Sequence, residues 1–302
     1  MKSKSTILLV VGALLAVTLA CGMQSAIGTD QPSVQPPAQS SAQPPAQPSA
    51  QPPAQPSVQP TPGGPCYNVL YPFVPGYQWI YALDAQNGGK PSNLGLTVDK
   101  VENSRATINA LDMSTGIITQ TIADCENGAI LNYPALTQQM LIGNAVASDF
   151  NLEYVSGVFA PAESAFTAAN WLYGWVGDYI ATGSIQVQDE GETMQIVLQD
   201  SPVHLAWQTA GSGDAAFESV TVPAGTFDRA LKIQRVVTMN VSMVVEGMAV
   251  NGTLTLHTTQ WFEPFTGLLK SQVDSVDVTY RGMIFPIAVK GTVELVEFRP
   301  GQ

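Results

Sequence analysis

From Leu231 to Val245, apolar side chains occupy alternate positions: Leu231, Ile233, Val237, Met239, Val241, Met243 and Val245, with Arg235 the one charge in the series. The positions between them include Lys232, Gln234, Thr238, Asn240 and Ser242. A period of two sustained this long specifies a strand with one dry face, because a helix would scatter the same residues around its axis. Glu246-Gly247 supplies a turn into a second strand ending near Phe262, and Pro264 to Gly267 turns the chain again into a third, Leu268–Tyr280. Arg281-Gly282 opens a last turn, after which Phe285, Ile287, Val289, Val293 and Leu295 mark a fourth dry face. Four long strands with short connections read as an antiparallel meander.

Shorter strands are predicted at about 77–83, 94–102, 105–112, 115–124 and 129–133, separated by turn signals such as Asn87-Gly88-Gly89 and Ser114-Thr115-Gly116. Between them and the meander the pattern weakens. Leu136–Ala147 and Glu163–Tyr173 are the helix candidates, the second introduced by Pro161. Asp189-Glu190-Gly191-Glu192 reads as a hairpin tip joining about 180–188 to 193–199. The expected fold is therefore mainly β (α+β): a large curved antiparallel sheet or unclosed β-barrel with one or two short helices packed on its concave face.

The first 65 residues obey different rules. Lys2 and Lys4 precede an apolar run from Ile7 to Ala20 that ends in Ala20-Cys21-Gly22. A basic tip, an apolar stretch short for a membrane span and small residues before a cysteine read as an export signal over 1–20. Cys21 is then the lipidated first residue of a bacterial lipoprotein, although Thr18 stands where such signals usually carry Leu. An ordinary cleaved signal and an uncleaved anchor are the alternatives, and all three place the remaining chain outside the cytoplasm. From Gln31 to Pro65 QPPAQ and QPSAQ units repeat without a charge, and 12 of the 22 prolines fall there. Such a segment has no large apolar side chains to offset the entropy of folding, so 21–65 is expected to be a disordered, semi-extended stalk. The antiparallel β domain is expected over 66–302.

Lys2 and Lys4 aside, ten basic residues face 24 acidic ones, a formal charge of −14. That balance excludes nucleic acid as a partner and opposes electrostatic docking on anionic lipid; the expected membrane attachment is through the N-terminal lipid. With Cys21 lipidated, Cys66 and Cys125 remain, and outside the cytoplasm two such thiols are expected to form a disulfide, the alternative being two free buried thiols. Two cysteines and two distant histidines lack the close spacing of a metal site, and no cofactor motif is present.

Val222-Pro223-Ala224-Gly225-Thr226-Phe227, then Lys232, Trp261-Phe262-Glu263-Pro264 and Gly267-Leu268-Leu269-Lys270 resemble a pattern in bacterial envelope proteins of unknown function. Those proteins are similar to the LolA-like lipoprotein-carrier group. The resemblance covers roughly 217–281 and implies an antiparallel sheet curled into an unclosed barrel over helices. Its motifs are structural turns and carry no catalytic chemistry.

No nucleophile elbow and no HExxH motif occur, and His204 and His257 read as ordinary strand residues. Asp189, Glu190 and Glu192 are adjacent at a turn, unlike carboxylates apposed across a cleft. The chain is accordingly expected to be no enzyme. Two features stand out. Phe166, Trp171, Tyr173, Trp175 and Tyr179 are flat amphipathic rings that either line a ligand cleft or plug the curved sheet. Arg235 lies alone on an apolar strand face, where a charge needs a partner: an interior carboxylate, the water at the rim, or an anionic head group. The functions that follow are a lipid-anchored envelope protein binding a lipid or other apolar molecule, or an interaction module presented to cell wall glycan or an envelope protein.

Overall fold

The computed structural model describes residues 64–84, 92–133, 145–189, 192–245, 248–287 and 291–301. All of these lie in one compact unit, Ser57–Gln302. Cys21 and the stalk fall outside the described residues.

The N-terminal strands are β1 (Gln78–Asp84), β2 (Ser92–Glu102), β3 (Arg105–Asp112), β4 (Ile118–Glu126) and β5 (Ala129–Asn132). After them come β6 (Ala145–Gly157), a short helix α1 (Glu163–Ala168), β7 (Gly174–Asp189) and β8 (Glu192–Thr209). The remainder is β9 (Phe217–Val222), β10 (Gly225–Val245), β11 (Met248–Glu263), β12 (Gly267–Tyr280), β13 (Met283–Ile287) and β14 (Thr292–Arg299).

All fourteen strands join one antiparallel sheet, ordered β5-β4-β3-β2-β1-β14-β12-β11-β10-β8-β7-β6, with β13 added on β12 and β9 on β10. Twelve strands thus curl into a nearly closed barrel with one seam. At the seam, β5 meets the segment after β6 through a single bridge, in which the Ile130 and Ala160 amides each donate to the other's carbonyl at 2.8 and 2.9 Å.

Alternation sets the inner face. On β10 the residues Leu231, Ile233, Arg235, Val237, Met239 and Val241 are all buried, and Val203, Leu205 and Trp207 of β8 share that face. β14 closes the two halves of the sheet, pairing Gln78–Asp84 of β1 on one side and Lys270–Gln272 of β12 on the other.

Three sequence expectations change. The fourth meander strand is two strands, β13 and β14, both seated on β12 at different heights. Their apolar residues share one parity, so periodicity does not reveal the break; Phe285 and Ile287 are half-buried, whereas Leu295 is fully buried. Val289 lies outside the described residues. Of the helix expected over Leu136–Ala147, Ala145–Ala147 belong to β6, and 136–144 fall outside the described residues. The second helix ends at Ala168, five residues early. Asn170 and Trp171 follow it at φ +47° and +65°, a left-handed region costly for a bulky side chain. Trp171 is held there by stacking on Phe166, with centroids 5.7 Å apart, and by Phe217 at 5.0 Å.

The entering chain is fastened twice. Cys66 is bonded to Cys125 of β4. Asn68, fully buried, donates to the Gly128 and Pro161 carbonyls at 2.7 and 2.8 Å, while its Oδ1 accepts the Leu70 and Tyr71 amides. One carboxamide thereby satisfies buried backbone groups from three segments, each of which would cost about 1–3 kcal/mol if orphaned.

Candidate functional site

The inner face is occupied by rings. Phe166 of α1 packs edge-on against Trp175 at 5.4 Å, and Trp175 stacks on Trp207 at 5.7 Å with planes 8° apart. Trp207 meets Phe159, which meets Tyr71 and Tyr133, and Tyr71 reaches Phe262. Phe166, Trp175 and Tyr179 are buried, and Trp171 and Tyr173 are half-buried. Of the five rings singled out in the sequence, Trp171, Tyr173 and Trp175 thus gather around Phe166. Tyr179 lies farther along β7 against Tyr154, with centroids 6.0 Å apart. The interior recess bounded by Tyr71, Phe73, Trp79, Tyr81 and Tyr133 has a volume of about 10 Å³, room for about one water molecule.

Arg235 points into this interior at 2 % exposure. Cross-strand register sets Trp207 on one flank and Thr258 on the other. Its Nε donates to the Thr258 hydroxyl at 3.0 Å, and its buried Nη2 has no hydrogen-bond partner among the described residues. Burial pulls the guanidinium down to about 10, with Tyr71 acting in the opposite sense, so it stays charged at neutral pH. The sequence left open an interior carboxylate, the water at the rim or an anionic head group; the hydrogen bond observed goes instead to the neutral Thr258 hydroxyl.

On the outer face the same registers build a row of short polar side chains. Ser156 of β6 pairs with Asp178 of β7, Asp178 with His204 of β8, His204 with Thr238 of β10, Thr238 with Thr255 of β11, and Thr255 with Asp277 of β12. Asp178 accepts from the His204 imidazole at Nδ1 (2.7 Å) and from the Ser156 hydroxyl (2.9 Å). These bonds, His204 first, hold its carboxyl below the usual carboxylate range.

The sheet is irregular around this row. Register shifts fall between Tyr154 and Ser156, between Ala181 and Gly183 and between Met239 and Ser242, with Asp200 at φ +46° on β8. Bulges re-aim side chains and sharpen local twist. Here they frame an open recess of about 330 Å³, whose lining includes Val155, Asp178, Ile180, His204, Thr238 and Asn240.

The arrangement is not that of a serine nucleophile and its base. In that chemistry the imidazole stands between hydroxyl and carboxylate; here Asp178 stands between Ser156 and His204. Among the described residues no group of three His, Cys, Asp or Glu side chains is placed to hold a metal ion. In the sequence alone His204 is an ordinary strand residue, Thr238 and Asn240 are two polar positions of an alternating strand, and Ser156 and Asp178 carry no motif. Each is one polar member of an alternating strand, and only the register across four strands brings them together.

No family model matches the chain, and no curated protein matches it. Two solved structures are similar to it. One is a candidate lipoprotein from Parabacteroides distasonis ATCC 8503, 18% identical, with a TM-score of 0.41 over 77% of this chain and 99% of that one. The other is a candidate exported protein with a YmcC-like fold from Bacteroides fragilis NCTC 9343, 15% identical, with a TM-score of 0.40 over 77% of this chain and 100% of that one. Neither lends this chain a ligand or a residue role.

Proposed function

We propose that this is a non-catalytic cell-envelope interaction module, tethered through Cys21 and its proline-rich stalk, that meets its partner with the outer face of the sheet. One observation carries the choice: the interior recess among Tyr71, Phe73, Trp79, Tyr81 and Tyr133 holds only about 10 Å³, whereas the recess of about 330 Å³ opens outward. A lipid carrier of the LolA-like kind needs the opposite distribution, since an apolar ligand is mostly enclosed by a concave site of several hundred cubic ångström. The signal-like N-terminus, the proline-rich stalk and the acidic composition fit a domain displayed away from a membrane.

The test is native purification of the full-length protein followed by mass spectrometry of extracted lipid and by sedimentation with isolated cell walls. The reading expects acyl chains only on Cys21 and co-sedimentation of the domain. Lipid recovered at one equivalent beyond the covalent anchor overturns it in favour of a carrier.

A further inference from the structure

We propose that the outer-face recess between β6, β7, β8 and β10 is a binding site for a neutral polyhydroxyl ligand, a glycan chain, held by His204, Thr238 and Asn240. This rests on the interaction-module reading and names the ligand class for its outer face.

The recess excludes ligands by charge. No lysine or arginine lines it, so a polyanion finds no counter-charge, and the acidic chain repels one. Asp178 is the one carboxylate lining the recess, each of its oxygens already accepts a hydrogen bond, and among the described residues no group of three His, Cys, Asp or Glu side chains is placed to hold a cation.

The strands that carry His204, Thr238 and Asn240 offer no backbone to an added peptide strand. β8 and β10, like β7, lie inside the sheet with a neighbour on each side, so outside the bulges their backbone groups are committed to ladders; of the four strands, β6 alone lies at the sheet edge. What remains is side-chain chemistry. With Nδ1 bound to Asp178, the His204 imidazole has Nε2 to offer. Asn240 accepts from Thr253 at Oδ1 (3.4 Å), which leaves its amide hydrogens, and the Thr238 hydroxyl both donates and accepts.

Val155, Ile180 and Pro202 supply apolar walls beside these groups. An apolar wall with short, directed donors and acceptors along its foot complements a sugar ring, which has C–H faces and a hydroxyl rim. The polar row continues through Thr255 to Asp277, and six strands about 4.8 Å apart give it a length of about 24 Å, enough for several rings in line.

The experiment is isothermal titration of the full-length protein with chitotetraose, cellotetraose and maltotetraose. At least one is expected to bind saturably. T238V, which keeps a β-branched side chain on the strand, and Asn240→Ala are each expected to weaken that binding about fivefold, the loss of one hydrogen bond. Gln120→Ala on β4 is expected to leave it unchanged, and denaturation midpoints near wild type confirm that the variants fold. No saturable binding to any of the three sugars, or binding indifferent to T238V and Asn240→Ala, overturns the proposal. A protein partner crosslinked through these same positions also overturns it, while the interaction-module reading survives. Stoichiometric lipid beyond the anchor removes both.

Discussion

Among the described residues the buried Arg235 guanidinium has one hydrogen-bond acceptor, the Thr258 hydroxyl, and its energetics can be tested directly. Desolvating a guanidinium costs several kcal/mol, and a single neutral acceptor recovers little of that. Replacing it with Met, of similar length and no charge, is expected to leave stability unchanged or raise it by about 1–3 kcal/mol in chemical denaturation. Thr258→Val, which strips the Nε acceptor and keeps the charge, is expected to lose about 2 kcal/mol. A large loss on Arg235→Met is the result that contradicts this account. Glu263 makes a second residue-level case. Its Oε2 is buried with no hydrogen-bond partner among the described residues. Burial pushes its carboxyl from 4.5 up to about 7, Arg229 pulling it back and Asp228 adding to the rise. Because the folded value lies above the unfolded one, the fold binds the extra proton between them. Stability is therefore expected to fall as pH rises from about 4.5 to 7 and to stay lower above that. Glu263→Gln is expected to flatten this slope, gaining about 1 kcal/mol at pH 8 after solvent screening is allowed for, and nothing at pH 4.

At the scale of elements, the strands were legible because each alternates on its own, and alternation is written locally. β3 and the Leu231–Val245 stretch of β10 could be read from their side chains alone, while the start of β10 at Gly225 could not. Partners were less legible: β13 and β14 carry one parity, and nothing local says that the chain steps to a new height on β12 between them. Helix α1 was legible in its start and not in its end, since the left-handed pair Asn170 and Trp171 is stabilised by Phe166 and Phe217, one of them 46 residues away. The aromatic plug was half visible. Phe166 and Trp175 stood in one segment, while Tyr71, Phe159 and Trp207 come from elsewhere in the chain. The outer recess was not visible at all, because each strand contributes one or two of its polar side chains. The Cys66–Cys125 link was legible from cysteine arithmetic, and it ties the incoming segment to β4 across 59 residues. Replacing both cysteines with Ala is expected to cost about 4 kcal/mol in the chain-entropy account, read as a lowered unfolding midpoint. A midpoint within error of wild type would show that Asn68 and its carbonyl partners hold the segment by themselves.

The whole molecule depends on one late strand. β14 stands between β1 and β12, so the five-strand N-terminal half and the C-terminal meander form one sheet through Thr292–Arg299. Removing residues 291–302 is expected to leave two partial sheets with exposed edges, giving soluble aggregates in size-exclusion chromatography and no cooperative thermal transition. A monomeric truncated chain that melts sharply would show that the halves fold independently. Ribosomes make β14 after every other described strand, and β1, paired early with β2, has its other edge uncovered until β14 is made. Association through uncovered edges is therefore expected to compete with folding until translation has passed Arg299, and an arrested or clipped product lacks the strand that joins β1 to β12.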